Sequence, residues 1–266
     1  MNYCSHDEWF GSTSFQNRIL RVAIDVEIHY AIIIPAYNEE ALLGETLSSI
    51  RNAMDGIEKA GELIVVDNNS SDGTSEVARD SGADKVVFEP HNQIARARNA
   101  GAAATVAERL VFIDADTRIE TGTLATALEN LESGRVVAGG ARIVMDQPVI
   151  PIVGWLTDNW NLVGATFHYA AGSFFYCRRD AFEAAGGFDE SVYAGEEVWL
   201  AKRIKKWARK RRLRFVVIQN PPVLTSGRKS DWFSTWDFVR QLAIIFLIPG
   251  STRSRKMCRV WYERPE

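Results

Sequence analysis

The chain has 266 residues, of which 46% are hydrophobic and 24% charged, and its formal net charge is −3. That length suits one sizeable α/β domain or two small ones, and the charge balance provides no global basic field to draw the chain to nucleic acid. Three cysteines, Cys4, Cys177 and Cys258, are odd in number and without CxxC spacing, which argues against a disulfide framework or a zinc site and for a reducing compartment.

Residues 1–28 show no clear period and are expected to be an N-terminal extension or a short added strand. The opening stretch lacks the apolar core of a signal peptide, and no run reaches the roughly 18 apolar residues that span a bilayer. The expectation is therefore a cytoplasmic protein. The organised part starts at residues 31–35, AIIIP, a β-branched run that reads as a fully buried strand. Leu43, Leu47, Ile50, Met54 and Ile57 then follow helical spacing, with Gly61 as the stop. Residues 63–66 form the next buried strand, ending at Asp67. The polar turn 68–73 leads into a short helix over 74–81, closed by Gly82. Residues 85–88 are a third strand, 94–107 an alanine-rich helix, and 110–113 a fourth strand ending at Asp114. This alternation of strand and helix predicts parallel βαβ units in a doubly wound, mostly parallel central sheet flanked by helices.

The second half is less regular. A helix is expected over 124–131 and a strand over 136–144, interrupted at Gly139-Gly140. Residues 149–169 are rich in aromatics with weak periodicity. A strand over 173–176, a short helix over 180–185 and a strong helix over 196–210 follow, and 215–218 is the last strand. Residues 242–248, between Arg240 and Pro249, read as a buried or interface helix. The sharper alternative is monotopic membrane contact, because Arg253, Arg255, Lys256 and Arg259 follow. The basic run over 203–214 reads as a solvated face with Ile204 and Trp207 turned inward. The aromatics Trp155, Trp160, Phe167, Trp232, Phe233 and Trp236 read chiefly as core, with some available to line an acceptor groove. One domain over 29–220 with a C-terminal appendage over 221–266, at the membrane interface or on the acceptor side, accounts for this pattern.

Ligands of parallel sheets bind outside the carboxyl ends of the strands. Three polar clusters fall there: Tyr37-Asn38-Glu39, Asp67-Asn68-Asn69-Ser70 and Asp114-Ala115-Asp116. Asp114 and Asp116, spaced by one residue after an apolar run, can hold a hard divalent cation that bridges diphosphate oxygens, or can simply cap the following turn. Asp67 can accept from a nucleobase N–H or serve as a turn cap. Asn68, Asn69 and Ser70 read as turn formers. Arg96 and Arg98 open a helix and point to different faces, so only one need face a phosphate. Glu196 and Glu197 begin a helix. One should face the site as a general base, helped by partial burial, and the other should serve structure. His29, His91 and His168 form no metal-ligand pattern.

Taken together, IIIPAYNEE, VVDNNSSDGTSEVA, ARARNAGA, VFIDADT, AGSFFYCRRDAFEAAGGFDE and GEEVWLAKRIKK resemble the pattern of glycosyltransferase family 2, whose fold is the GT-A type. The resemblance runs from Ile32 to about Lys206 in the family's order. It implies that Pro35, Ala36, Tyr37 and Glu39 line a nucleotide pocket, that Asp67 contacts the base, and that Arg98 approaches the donor. It also implies that Asp116, supported by Asp114, binds Mg²⁺ or Mn²⁺ as the DXD signature, and that Glu197 or Glu196 is the base, with Glu197 preferred. The implied activity is metal-assisted, inverting transfer of a hexosyl group from a UDP- or GDP-sugar to a glycan, lipid-linked or small acceptor. Peripheral contact with the inner face of the membrane is compatible with it. The Gln-x-x-Arg-Trp element of processive members is absent from the sequence. Two rivals are a catalytically inactive nucleotide-sugar-binding partner and a sugar nucleotidyltransferase. The second lacks support, because IIIPAYNEE holds neither glycine nor a basic residue.

Overall fold

The computed structural model describes residues 27–262; the expected N-terminal extension and Cys4 lie almost wholly outside them. Strand β1 (Tyr30–Ala36) is buried along its whole length, as a strand covered on both faces must be. Its alternate residues serve two separate cores: Ile32 and Ile34 face one, Ala31 and Ile33 the other. β2 (Gly61–Asp67), β3 (Lys85–Phe88) and β4 (Arg109–Ile113) run parallel to it in the order β3-β2-β1-β4. The connecting helices are α1 (Leu43–Asp55), α2 (Thr74–Asp80) and α3 (Ile94–Ala103). α1 packs Leu43, Leu47 and Ile50 into the first core, and α3 packs Ala95, Ala97 and Ala102 into the second.

The order places β1 between β2 and β4, so successive crossovers leave β1 in opposite directions. That is the switch point at which a crevice opens beyond the strand ends. Beyond β4 come β5 (Thr117–Arg118), α4 (Thr121–Glu132), β6 (Val136–Met145), α5 (Pro151–Phe167), β7 (Phe174–Arg178), α6 (Arg179–Ala184) and α7 (Glu196–Arg209). β8 (Arg214–Thr225), α8 (Lys229–Trp232), α9 (Thr235–Leu247) and α10 (Arg259–Tyr262) complete the order. β7 pairs antiparallel with both β4 and β6, β8 runs parallel to β6, and β5 closes the edge antiparallel to β8. Among the described residues the result is one α/β unit with a mixed, mostly parallel sheet of eight strands flanked by helices. No helix among the described residues is long and apolar enough to cross a membrane.

Several expectations need correction. The first helix ends at Asp55 with Gly56 as its C-cap, and Gly61 instead opens β2. A Cβ at Gly61 would lie 2.2 Å from the Tyr30 ring, so this glycine answers a packing demand and not a helix stop. α3 ends at Ala103, four residues early, where Thr105 Oγ1 accepts from the Ala107 N–H at 3.0 Å. Gly139 and Gly140 do not interrupt β6. A Cβ at Gly139 would lie 1.9 Å from the Val216 carbonyl oxygen, and one at Gly140 2.4 Å from Ala170 Cβ. Residues 149–169 hold a 17-residue helix, α5, begun by Pro151 in its first turn. β8 continues past Ile218 to Thr225. Its register against β6 shifts between the pairs Ala141/Ile218 and Ile143/Val223, so Pro221 and Pro222 fall in an irregularity where no ladder N–H is needed.

Candidate active site

The carboxyl ends of β1 and β4 open into a cavity of about 490 Å³. Pro35, Ala36, Tyr37 and Glu39, which follow β1, line one side. Asp114 and Asp116, which follow β4, form the floor, and Glu196 and Glu197, at the start of α7, face them. Asp67 is not among the lining residues. Its Oδ1 accepts from the Ser70 N–H at 2.9 Å and its Oδ2 from the Ser75 hydroxyl at 2.6 Å, so the carboxylate ties its own turn. Its neighbour Asn68, expected to be a turn former only, does reach the cavity.

Arg98 organises the floor. It is 1% exposed, donating to Glu196 Oε1 at 2.6 Å, to Asp114 Oδ1 at 2.7 Å and to the Gly172 carbonyl at 2.9 Å. A Cβ on residue 172 would come within 3.1 Å of its guanidinium, which explains a glycine there. Burial opposes the cation, but Asp114, Glu196 and Glu197 outweigh it and hold Arg98 charged. Arg96 turns outward to Glu89 and Glu190, so the two arginines do diverge.

The adjacent glutamates diverge as well. Glu196 is 4% exposed and paired with Arg98; burial raises its pKa and Arg98 opposes that rise. Glu197 is partly buried. Burial first, and the Glu196 charge second, push its pKa up to about 8, so it holds a proton far more readily than an ordinary glutamate. Asp116 is pushed up to about 6, by burial first and by the charges of Asp114 and Glu39.

The turn after β8 supplies residues that the sequence reading missed. Arg228 donates to Glu39 Oε1 at 2.5 Å and approaches Asp116 Oδ2 at 3.3 Å. Its guanidinium lies 5.0 Å from the Trp232 ring centroid. Lys229 acts on Asp116 as a second positive charge. The available signal was Ser226-Gly227-Arg228-Lys229, small and basic residues after a strand end, but ending the strand at Ile218 hid it.

The donor chemistry of the floor fits a hard divalent cation. Asp114 and Asp116 flank a single residue, and burial first, then the charges of Asp114 and Glu39, hold the Asp116 pKa up against the opposing charges of Lys229 and Arg228. Each carboxylate keeps one oxygen, Asp114 Oδ2 and Asp116 Oδ1, without a hydrogen-bond partner among the described residues. No group of three His, Cys, Asp or Glu side chains that could hold a metal occurs among the described residues. Mg²⁺-type sites commonly use one or two carboxylates together with substrate phosphates, and this pair suits that mode.

The layered sheet with its acidic crevice at the switch point defines a GT-A type fold. Residues 31–186 match the sequence profile of glycosyl transferase family 2, and the chain belongs to that family. It is 34% identical over 135 residues to an uncharacterized glycosyltransferase of Mycobacterium tuberculosis, covering 49% of this chain and 58% of that protein. The chain thus spans little more than half the length of this relative. Among solved structures, a mannosyltransferase from Pyrobaculum calidifontis in complex with GDP-Man and Mn²⁺ superposes with a TM-score of 0.58 at 23% identity, covering 85% of this chain and 66% of that one. Glucosyl-3-phosphoglycerate synthase from Mycobacterium tuberculosis, in complex with Mn²⁺, UDP-Glc and phosphoglyceric acid, does so at 0.56 and 18%, covering 87% and 80%. These structural likenesses bear on the fold.

Proposed function

We propose that the chain transfers a hexosyl group from a nucleoside-diphosphate sugar to an acceptor hydroxyl with inversion, using Glu197 as general base and Asp116, supported by Asp114, as metal ligands. The observation that carries this reading is the placement of Glu197, its pKa pushed up to about 8, across one cavity from the two carboxylates after β4. UDP- and GDP-sugars are the proposed donor class, in keeping with the donors bound by the two solved structures.

Glu197 takes the proton of the acceptor hydroxyl while that oxygen attacks the anomeric carbon. The bond from that carbon to the diphosphate oxygen breaks on the opposite face, and the configuration inverts. Mg²⁺ or Mn²⁺, held by Asp116 and Asp114, would neutralise charge on the departing diphosphate. Arg228 and Lys229 add positive charge on the same side. Pro35, Ala36, Tyr37 and Glu39 wall the nucleotide, and Asp67 fixes the turn that presents Asn68 to the base. Arg98 is enclosed by Asp114, Glu196 and Gly172, so it acts as a positioning residue for both acids and not as a direct donor contact.

Replacing Glu197 by Gln tests the assignment, since the amide keeps the shape and cannot take a proton. Transfer should fall by at least about a hundredfold, the usual worth of a positioned base, with donor binding unchanged by calorimetry. Wild-type turnover in E197Q would remove Glu197 from the mechanism.

A further inference from the structure

The cavity changes character along its length. Its β1–β4 end carries the charged groups described above. Its other end is walled by Val153, Leu156 and Trp160 of α5 and by Phe238 and Leu242 of α9, two helices that pack against each other. The polar side chains that these helices add to the lining, Thr157 and Gln241, already donate to the Val153 and Met257 carbonyls, which leaves this end short of the hydroxyl-binding polarity that a free sugar or small polar acceptor would need.

The same two helices also carry large apolar side chains on their outer faces, beside the exposed charges of Asp158 and Arg240. Trp155 and Leu162 lie a half-turn away from the pocket-lining residues of α5 and are 59% and 65% exposed. On α9, Trp236 is 79% exposed and Leu247 77%, with Val239 and Ala243 between them on the outer side. The only charge in α5 is Asp158, and α9 holds only Asp237 and Arg240. A surface helix normally turns polar residues outward, and one that is apolar all round is buried in protein or in lipid. Charge complementarity selects lipid. Residues 233–262 contain five basic side chains, Arg240, Arg253, Arg255, Lys256 and Arg259, against the single acid Asp237, although the chain as a whole is at −3. Exposed tryptophans with a basic surround suit the interface of an anionic bilayer.

We infer that α5, α9 and the basic segment after them form a membrane-docking face, and that the acceptor is a lipid whose chain enters between α5 and α9 and whose polar head reaches Glu197. The acceptor half of this inference rests on the proposed transferase reading; the docking half stands on the surface alone. The C-terminal part of the chain, from residue 221 on, then serves the acceptor side, as well as delivering Arg228 and Lys229 to the donor side.

Sedimentation with vesicles of phosphatidylcholine and phosphatidylglycerol at 3:1 tests the docking face. The wild-type chain should pellet with them and remain soluble with pure phosphatidylcholine. The W236E/L247E double variant should lose at least tenfold in vesicle affinity while keeping its nucleotide-induced thermal shift, which shows that it is folded. Calorimetry with dodecyl phosphate and butyl phosphate tests the apolar arm. The longer chain should bind at least tenfold more tightly, and L242R should remove the difference. A wild-type chain that ignores anionic vesicles, including one that elutes as a dimer through this face, overturns the docking face. Equal affinity for the two phosphates overturns the lipid acceptor. Loss of nucleotide binding with vesicle binding intact would instead count against the transferase reading.

Discussion

Glu196 and Glu197 show how strongly position governs a side chain. One is locked by Arg98, and the other faces the cavity with its pKa pushed up to about 8. A base works only as the carboxylate, so a raised pKa places the loss of activity on the acid side. The acid limb of the initial-rate profile should therefore have its midpoint well above the ordinary glutamate value of about 4.3, as high as 8, and any residual rate of E197Q should lack that limb. A midpoint at 4.3 or below would contradict the role. Arg98 predicts a different outcome. Replacing it with Met strands Glu196 and Asp114 without their shared cation, and loss of one partner of a buried ion pair costs about 3–5 kcal/mol. Burial keeps the Glu196 pKa above its unfolded value, and the more so without Arg98. Such a group weakens the fold as pH rises past the unfolded value, so the loss should shrink as pH falls towards about 4.3. Urea titrations of R98M at pH 5 and pH 7 check both size and sign. An unchanged midpoint at pH 7 would refute the network's structural weight.

At the scale of elements, packing decides what propensity leaves open. Gly139 sits mid-strand because a Cβ there would lie 1.9 Å from a backbone oxygen and 2.3 Å from the Tyr176 hydroxyl. G139A should destabilise the fold by about 1–3 kcal/mol, the range for overpacking, read from thermal or urea unfolding. A neutral result would show that β8 can move aside. This also marks the boundary of what the chain's text discloses. Single-face and fully buried elements, such as β1, α1 and α7, were legible from periodicity. So were the acids at the strand ends, because strand termini and ligand position are linked by topology. Gly61 and Gly139 misled because a missing Cβ looks the same whether it serves a turn or a neighbour 30 or more residues away. α5 was hidden because it is apolar on two faces, towards the pocket and towards the outside, so no single 3.6-residue stripe stands out. Arg228 was hidden because the last strand was ended at Ile218, whereas it runs on through two prolines to Thr225. The aromatics expected as core proved divided: Trp155, Phe167 and Trp236 are exposed, whereas Trp160 and Trp232 line the cavity.

For the whole molecule, the parallel β3-β2-β1-β4 half sets out a crevice beyond its strand ends, and the mixed half with its helices builds the far wall of the same cavity. Family membership and the fold agree with glycosyl transfer, and the central claim is that the crevice binds a nucleoside diphosphate together with a divalent cation. Thermal unfolding of the intact chain with UDP, GDP, CDP or dTDP, with and without Mn²⁺, tests this most directly. A ligand confined to the native state raises apparent stability by about 2.7 kcal/mol at a hundredfold excess over its dissociation constant. A clear upward shift is expected for one of these nucleotides, UDP or GDP, that requires Mn²⁺ and vanishes in Asp116→Ala. No shift with any of them, or a shift indifferent to both the metal and Asp116, would contradict it.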